Sequence, residues 1–344
     1  MADAVAAPTF ALVMGGGNAL GAYHGGVAAA MEAEGVWPDR VAGSSIGAVM
    51  GALIAGNPPE RRVPAMREFW RRVTQSDAPV LLVPDAMRVP LHAAAVLGAR
   101  VAGRPGMFVP RYADLFGTGG SPSFYDAGPL RRSLEELVDF DLLNSGSIRF
   151  QLMAVDVETS EEVPFDTAHD RIEPDHILAS AALIPDYAPV EIGGRALVDG
   201  GLSDNVPADL VLLEEPAGPV ALFAVDLYPG AAPRPRSVAM AMQRLVDLVY
   251  RTHTDRTLRA MRAIWEARDG PHPGAVYRLE YPDAPGETAL KSYDFSGSSL
   301  RRRWVQGERD MHAALRLWRE QPPSGRGLRL HPPIGPDGTE QRSV

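Results

Sequence analysis

The sequence predicts a three-layer α/β domain with a mostly parallel central sheet, followed by a helix-rich C-terminal extension. Short apolar runs alternate with helical patterns from residue 9 onward, the order that builds a parallel sheet covered by helices. Two of the earliest runs end in glycine-containing turns, as strands do when they feed directly into a helix. The extension is predicted by a Pro-rich joint at 230–235 and a long helical pattern after it. The expected organisation is therefore a core domain over 1–230, a helix-rich extension over 231–320 packed on it, and a tail over 321–344. Pro, Gly and polar residues dominate the tail, so it is expected to be disordered.

The elements follow in order. Phe10 to Met14 is a buried strand running into Gly15-Gly16-Gly17. Asn18 is placed to cap a helix reaching about Glu34, where Gly35 suits its stop. Arg40-Val41-Ala42 is a short strand, and the small apolar residues Ala48 to Ile54 form a buried helix. Pro58-Pro59 ends that helix, and Arg61 to Val73 forms another. Residues 76–124 mix Pro, Gly and large apolar residues with few charges. That composition suits either a core helix pair with loops or a mobile flap over an apolar cavity or lipid surface. Ile148 to Val157 is a strand, paired with Glu162 to Phe165, and Pro174 to Leu183 is a helix with Pro in its first turn. Pro189 to Ile192 and Arg195 to Val198 form a hairpin about Gly193-Gly194. Val206 to Leu213 is a short helix and Val220 to Tyr228 a strand. Val238 to Arg268 is a long helix, with Leu245, Leu248, Val249, Leu258, Met261 and Ile264 at three- and four-residue steps. Ala275 to Tyr281 is a strand and Ser299 to Arg319 an amphipathic helix.

Composition narrows the function. The 344 residues are 45% hydrophobic and 22% charged, which a packed globular core requires. A net charge of −9 disfavours nucleic acid as a partner. With no cysteine there is no disulfide framework, no thiolate metal site and no Cys nucleophile. No metal-ligand spacing is visible, and no metal or other cofactor is expected. Met1 to Pro8 has no basic region of the kind that opens a signal peptide, so a cytoplasmic location is expected. The longest apolar run, Val89 to Ala99, is too short to span a bilayer.

Three motifs carry chemistry. Gly43-Ser44-Ser45-Ile46-Gly47 fits G-x-S-x-G, which holds a serine hydroxyl on a tight turn between a strand and a helix. Gly43 and Gly47 let the backbone segments approach where a Cβ would resist. Gly15-Gly16-Gly17-Asn18-Ala19-Leu20-Gly21 exposes backbone N–H groups at a strand-to-helix turn, a site that holds anions. It is not a dinucleotide fingerprint, because Leu20 stands at the last glycine position, and no Lys-Ser/Thr pair makes it a P-loop. What remains is a nest suited to an oxyanion. Asp199-Gly200-Gly201 follows the Arg195 to Val198 strand. An Asp in a glycine turn is commonly a turn former. At a strand end, where α/β sheets place ligands, it can also meet the other two motifs.

Together these motifs resemble the patatin-like phospholipase family. The resemblance rests on the glycine-rich segment, the Ser45 turn soon after it, and Asp199-Gly200-Gly201 within the stretch Leu197 to Pro207. Ala179 to Pro185 followed by Ala188-Pro189-Val190 adds to it, and the match runs from about residue 9 to 228. Tyr293 to Ser296 and Arg303-Trp304 resemble a C-terminal extension of some bacterial members. The resemblance implies a patatin-like three-layer fold and a serine acyl-ester (lipid) hydrolase. Ser45 would be the nucleophile, Asp199 the general base and then acid, and Gly15, Gly16 and Gly17 the oxyanion donors. Gly43, Gly47 and Gly200 would support the motifs. An acyl-enzyme would form and be hydrolysed. The family commonly carries Arg or Lys where this chain has Leu20, a departure that points to a neutral ester or an unusual lipid as substrate.

Alternatives remain open on the residues alone. A Ser–Asp–His triad would be satisfied in order by Ser45, Asp199 and then His253 or His312. His24 reads as a packed helix residue. A lipid-binding protein with a weakened site, and acyl transfer to an acceptor other than water, are the other readings. The expected partner is a lipid or other acyl ester, with peripheral contact to a membrane or lipid surface. The helices after residue 237 suit either a homo-oligomer interface or a cover for the acyl pocket.

Overall fold

Strand β1 (Thr9–Met14) organises the layers, because its alternate residues face two separate cores. Phe10, Leu12 and Met14 point into one apolar cluster, and Ala11 and Val13 into a second on the opposite face. The computed structural model describes residues 8–75, 98, 101–112, 120–268, 270–283, 287 and 290–334. Its other strands are β2 (Arg40–Gly43), β3 (Val109–Pro110), β4 (Tyr125–Asp126), β5 (Arg149–Asp156), β6 (Glu162–Asp166), β7 (Val190–Ile192), β8 (Arg195–Asp199), β9 (Val220–Asp226), β10 (Gly274–Glu280) and β11 (Leu328–Leu330). The helices are α1 (Ala22–Ala33), α2 (Ile46–Ala55), α3 (Pro59–Val73), α4 (Gly128–Leu137), α5 (Phe140–Ser145), α6 (Pro174–Ser180), α7 (Asp209–Leu212), α8 (Val238–Arg268) and α9 (Gly297–Glu320).

Nine strands form one sheet in the order β11-β10-β9-β1-β2-β5-β8-β7, with β6 also on β5. From β11 to β5 every pairing is parallel. The pairings of β5 with β6 and β8, and of β7 with β8, are antiparallel. Helices α1, α2, α3 and α9 supply residues to the cluster on one face, and α7 and α8 to the cluster on the other. The mostly parallel three-layer architecture is thus the one the sequence predicts.

The region after residue 230 joins this sheet. β10 pairs with β9 from Gly274↔Val220 to Glu280↔Asp226, and β11 pairs with β10 from Gly274↔Leu328. The tail expected to be disordered from 321 therefore contains a strand at 328–330, because β10 offers it an open parallel edge; residues 335–344 lie outside the described residues. Most of 76–124 lies outside them as well, so neither reading of that segment is decided as a whole. Its described part includes buried Met107 and Phe108 and the short β3–β4 ladder.

Some boundaries differ from the sequence reading. α6 stops at Ser180 and α7 begins at Asp209, so Ala181–Leu183 and Val206–Ala208 serve as loop backbone beside the site. Asn18 does not cap a helix. It sits at φ +53° in a single 3-10 turn (Asn18–Gly21) that precedes α1, with no side-chain capping bond.

α1 and α9 cross very closely. A Cβ on Gly26 would lie 1.9 Å from the Trp304 carbonyl oxygen, and one on Gly307 would lie 2.1 Å from that of Tyr23. The Tyr23 hydroxyl donates to Asp310 at 2.6 Å across the same crossing. On the other face α8 is fixed at mid-length by Arg251, which reaches Glu280 at 3.2 Å and Asp226 at 3.4 Å at the ends of β10 and β9. Gly307→Leu must separate two backbones, so it is expected to destabilise the fold by about 1–3 kcal/mol. Urea unfolding followed by Trp fluorescence measures this. A shift below about 0.5 kcal/mol, the usual range of surface positions, would contradict the close crossing.

Candidate active site

Sheet register brings two of the motifs together. Gly43, at the end of β2, pairs with Leu152, and Asp199, at the end of β8, pairs with Ala154 two residues further along β5. β8 runs antiparallel to β5, so it comes back from beyond the carboxyl end of β2 and stops at Asp199 just past that end. Ser45 lies two residues beyond Gly43, level with that stop.

The Ser45 turn is conformationally strained. Ser45 has φ +56° and ψ −126°, a region that costs about 1–3 kcal/mol for a residue with a side chain. Its surroundings hold it there. The Ser45 N–H donates to the Ser180 carbonyl at 3.0 Å, and the Ser44 hydroxyl donates to the Asp204 carbonyl at 2.9 Å. A Cβ on Gly47 would lie 2.0 Å from the Met14 carbonyl oxygen, and one on Gly43 2.5 Å from Gly47. No other residue fits at either position. Ser45 also precedes the first turn of α2, where the helix dipole favours negative charge.

The Ser45 side chain and the Asp199 carboxylate line the same cavity, close enough for the hydroxyl to act on the carboxylate's titration. Asp199 is 3% exposed, and its Oδ1 accepts the Gly201 N–H at 2.8 Å. Burial pushes its pKa up to about 7, against the opposing pull of the Ser45 hydroxyl and the Gly201 N–H. The Gly200 Cα packs on the Met153 backbone, with no room for a side chain.

The glycine loop lies against both residues but differs from expectation in detail. The Gly15 N–H donates to Val225 at 3.0 Å and the Gly16 N–H to Asn205 at 3.2 Å. Both are therefore committed to the neighbouring strand and loop, and of the three predicted oxyanion donors only Gly17 remains available. Among the described residues, the N–H groups of Gly17 and Asn18 donate to no protein acceptor, and both residues line the cavity that holds Ser45 and Asp199.

That cavity is about 230 Å³. Ile46, Val49, Met107, Leu130 and Leu183 make it mainly apolar. The region after 230 supplies Val246 and Tyr250 from α8 and Ser292 and Tyr293 from the segment before α9. The Tyr228 ring stacks on Tyr250 at 4.6 Å, and both rings line the cavity with Ser292. Behind Tyr228 lies Lys291, the only lysine in the sequence. It is 3% exposed and pairs with Asp247 at 2.7 Å and Asp283 at 2.6 Å.

No histidine lines the cavity among the described residues. His312 pairs with Glu34 at 3.0 Å and His253 lies on α8 beside Tyr250, so neither completes a triad with Asp199. His24 is more than packing. It is fully buried, and its Nε2–H donates to the Gly15 carbonyl at 2.9 Å. Burial lowers its pKa to about 4, so it stays neutral while fixing the loop. Sequence reasoning also missed Asn205, whose Nδ2 donates to the Gly16 carbonyl at 3.4 Å. Its signal was present in the stretch that carries Asp199, where it follows an Asp-Gly-Gly turn by four residues.

A family model described as patatin-like phospholipase matches residues 12–212, and a second, described as patatin phospholipase, matches residues 234–324. An uncharacterized NTE family protein of Mycobacterium tuberculosis is 30% identical over 200 residues, which is 58% of this chain and 44% of that protein. A patatin-like phospholipase domain-containing protein of Caenorhabditis elegans is 28% identical over 204 residues, 58% of this chain and 12% of that protein. The chain thus spans less than half the length of these relatives. The solved structure of VipD from Legionella pneumophila is similar at 12% identity, with a TM-score of 0.40 over 90% of this chain and 66% of that one. With more than half of its length matched by the first family model, the chain belongs to the patatin-like phospholipase family.

Proposed function

We propose that this chain is a serine hydrolase of lipid acyl esters that works through an acyl-enzyme, with Ser45 as nucleophile and Asp199 as its proton partner. The observation that carries the proposal is the placement of Ser45, on its strained turn, in one cavity with the buried Asp199 carboxylate. As Ser45 Oγ attacks the ester carbonyl, Asp199 takes the hydroxyl proton and then delivers it to the departing alkoxide. Water next attacks the acyl-enzyme, giving a proton to Asp199, which returns it to the Ser45 oxygen as the fatty acid leaves. An ordinary carboxylate, with a pKa near ~4, is a weak base for a serine. Burial of Asp199 narrows that mismatch by several pKa units. The oxyanion would sit at the N–H groups of Gly17 and Asn18, beside the N-terminus of α2.

Two features support an uncharged ester as substrate. The cavity walls are mainly apolar, and among the described residues no Arg or Lys lines them. Leu20 is fully buried and contributes no charge there. Access from a lipid surface is supported by the first half of α8. Val238, Met242, Leu245 and Val249 are exposed on one stripe of that helix, and Val246, on the same turns, lines the cavity. Among the described residues no helix is long and apolar enough to cross a membrane, so the contact would be peripheral.

Ser45→Ala is expected to abolish both hydrolysis of p-nitrophenyl esters and labelling by a fluorophosphonate, with Asp199→Asn costing about 10³-fold or more in kcat. Wild-type turnover that survives Ser45→Ala would end the proposal. The base must be ionised to act, so kcat/KM should rise with pH through about 7 and fall roughly tenfold per unit below it. A flat profile between pH 5 and 8, on the order of the His and carboxylate range, would count against Asp199 as base. Met242→Glu with Leu245→Glu should lower turnover of dispersed long-chain esters and spare that of a soluble short-chain ester. Equal loss on both would remove the lipid-surface role of α8.

A further inference from the structure

Leu20 is an apolar, fully buried side chain and brings neither charge nor donor to the glycine loop. Residues 15–21 form a buried loop whose carbonyls all need donors, because an unpaired buried carbonyl is costly. Each donor comes from a different place. The Gly15 carbonyl is held by His24, that of Gly16 by Asn205, and that of Gly17 by the Leu20 N–H at 3.1 Å. The Ala19 carbonyl, next to Leu20, accepts the Ala22 N–H and, as a second donor, Arg303 Nη1 at 3.2 Å. Arg303 lies on α9, 284 residues away in the chain.

The guanidinium does more than meet one carbonyl. Nη1 also donates to the Asp294 carbonyl at 2.8 Å, and Nη2 donates to the Lys291 carbonyl at 3.0 Å and to Glu287 at 3.1 Å. One side of it therefore grips the turn that carries Gly17 and Asn18. The other grips the segment that carries Ser292 and Tyr293, which line the opposite wall of the cavity. Arg303 is 0% exposed. A buried arginine is a poor way to add stability, because an apolar side chain of similar volume commonly does as well or better. Its planar fork can, however, bind several carbonyls in fixed geometry, which a hydrocarbon cannot.

We propose that Arg303 is the positioning residue for the oxyanion loop, supplying from the C-terminal region the clamp that position 20 does not provide. This rests on the function proposed above. It also assigns a catalytic purpose to the region after 230: the glycine loop keeps its N–H groups aimed at the Ser45 ester only while α9 is docked.

The test uses the full chain. Arg303→Met and Arg303→Lys are compared with wild type for kcat and KM on a soluble short-chain ester, for the rate of fluorophosphonate labelling of Ser45, and for melting temperature. Activity is normalised to folded protein by circular dichroism. The expected result for Arg303→Met is a fall in kcat and labelling rate of about 10²-fold, the scale of an ångström misplacement, with KM little changed. Arg303→Lys, which keeps the charge but not the fork, should recover part of it. Wild-type kcat per folded molecule in Arg303→Met, whatever its melting temperature, overturns the proposal, as does a loss confined to KM. If Arg303→Met does not fold, Arg303→Lys decides alone: a reduced kcat at unchanged KM supports the clamp, and wild-type kcat refutes it. Wild-type protein that neither turns over ester nor labels at Ser45 would instead refute the underlying hydrolase reading.

Discussion

One carboxylate kept dry beside one hydroxyl is the constraint on which the rest of the site depends. A buried aspartate is an unfavourable group, and its raised pKa is the measure of that cost. The fold offsets the cost by building Asp199 into the end of a strand. There its backbone N–H is bonded to Ala182 and its carboxylate accepts the Gly201 N–H. The same placement is what the proposed role of Asp199 as a base near neutral pH requires. The strain at Ser45 follows from the same requirement. The hydroxyl after β2 faces a carboxylate on β8, an oppositely directed strand on the far side of β5, across a sharp turn between β2 and α2 in which Ser45 takes a positive φ.

The second layer of organisation is the commitment of nearly every polar backbone group around the loop. Gly15 and Gly16 give their N–H groups to β9 and to Asn205, while their carbonyls are met by His24 and Asn205. What is left unpaired at Gly17 and Asn18 is therefore defined by elimination. A loop held this way meets the condition that the proposed oxyanion site sets, donors fixed before charge develops on a substrate oxygen.

How much of this was legible in the sequence follows from the range of each interaction. Ser45, Asp199 and the glycine loop were readable because their signals are local: glycines where backbone crowds, a small-residue helix after the serine, a turn at a strand end. The order of strands and helices was readable from periodicity for the same reason. The oxyanion donors were misjudged at Gly15 and Gly16 because their acceptors belong to residues 225 and 205, about two hundred positions away. The capping role expected of Asn18 failed because the preceding glycine turns the chain into a 3-10 step first. The strand at 274–280 was recognised, but a period-two pattern does not say which edge it will join, so the C-terminal region read as an addition to the sheet when it is the continuation of it. Arg303 is one arginine among many in the sequence, and nothing local distinguishes it from those on the surface.

Lys291 has a consequence of a different kind. As the sole lysine of the chain, sealed between Asp247, Asp283 and the Tyr228 ring, it is the one ε-amino group that acylating or aldehyde reagents can find. In the closed fold they do not reach it. Modification at this position would therefore require Lys291 to leave those partners, which makes the residue a single-site chemical reporter for any opening of the segment that bears it.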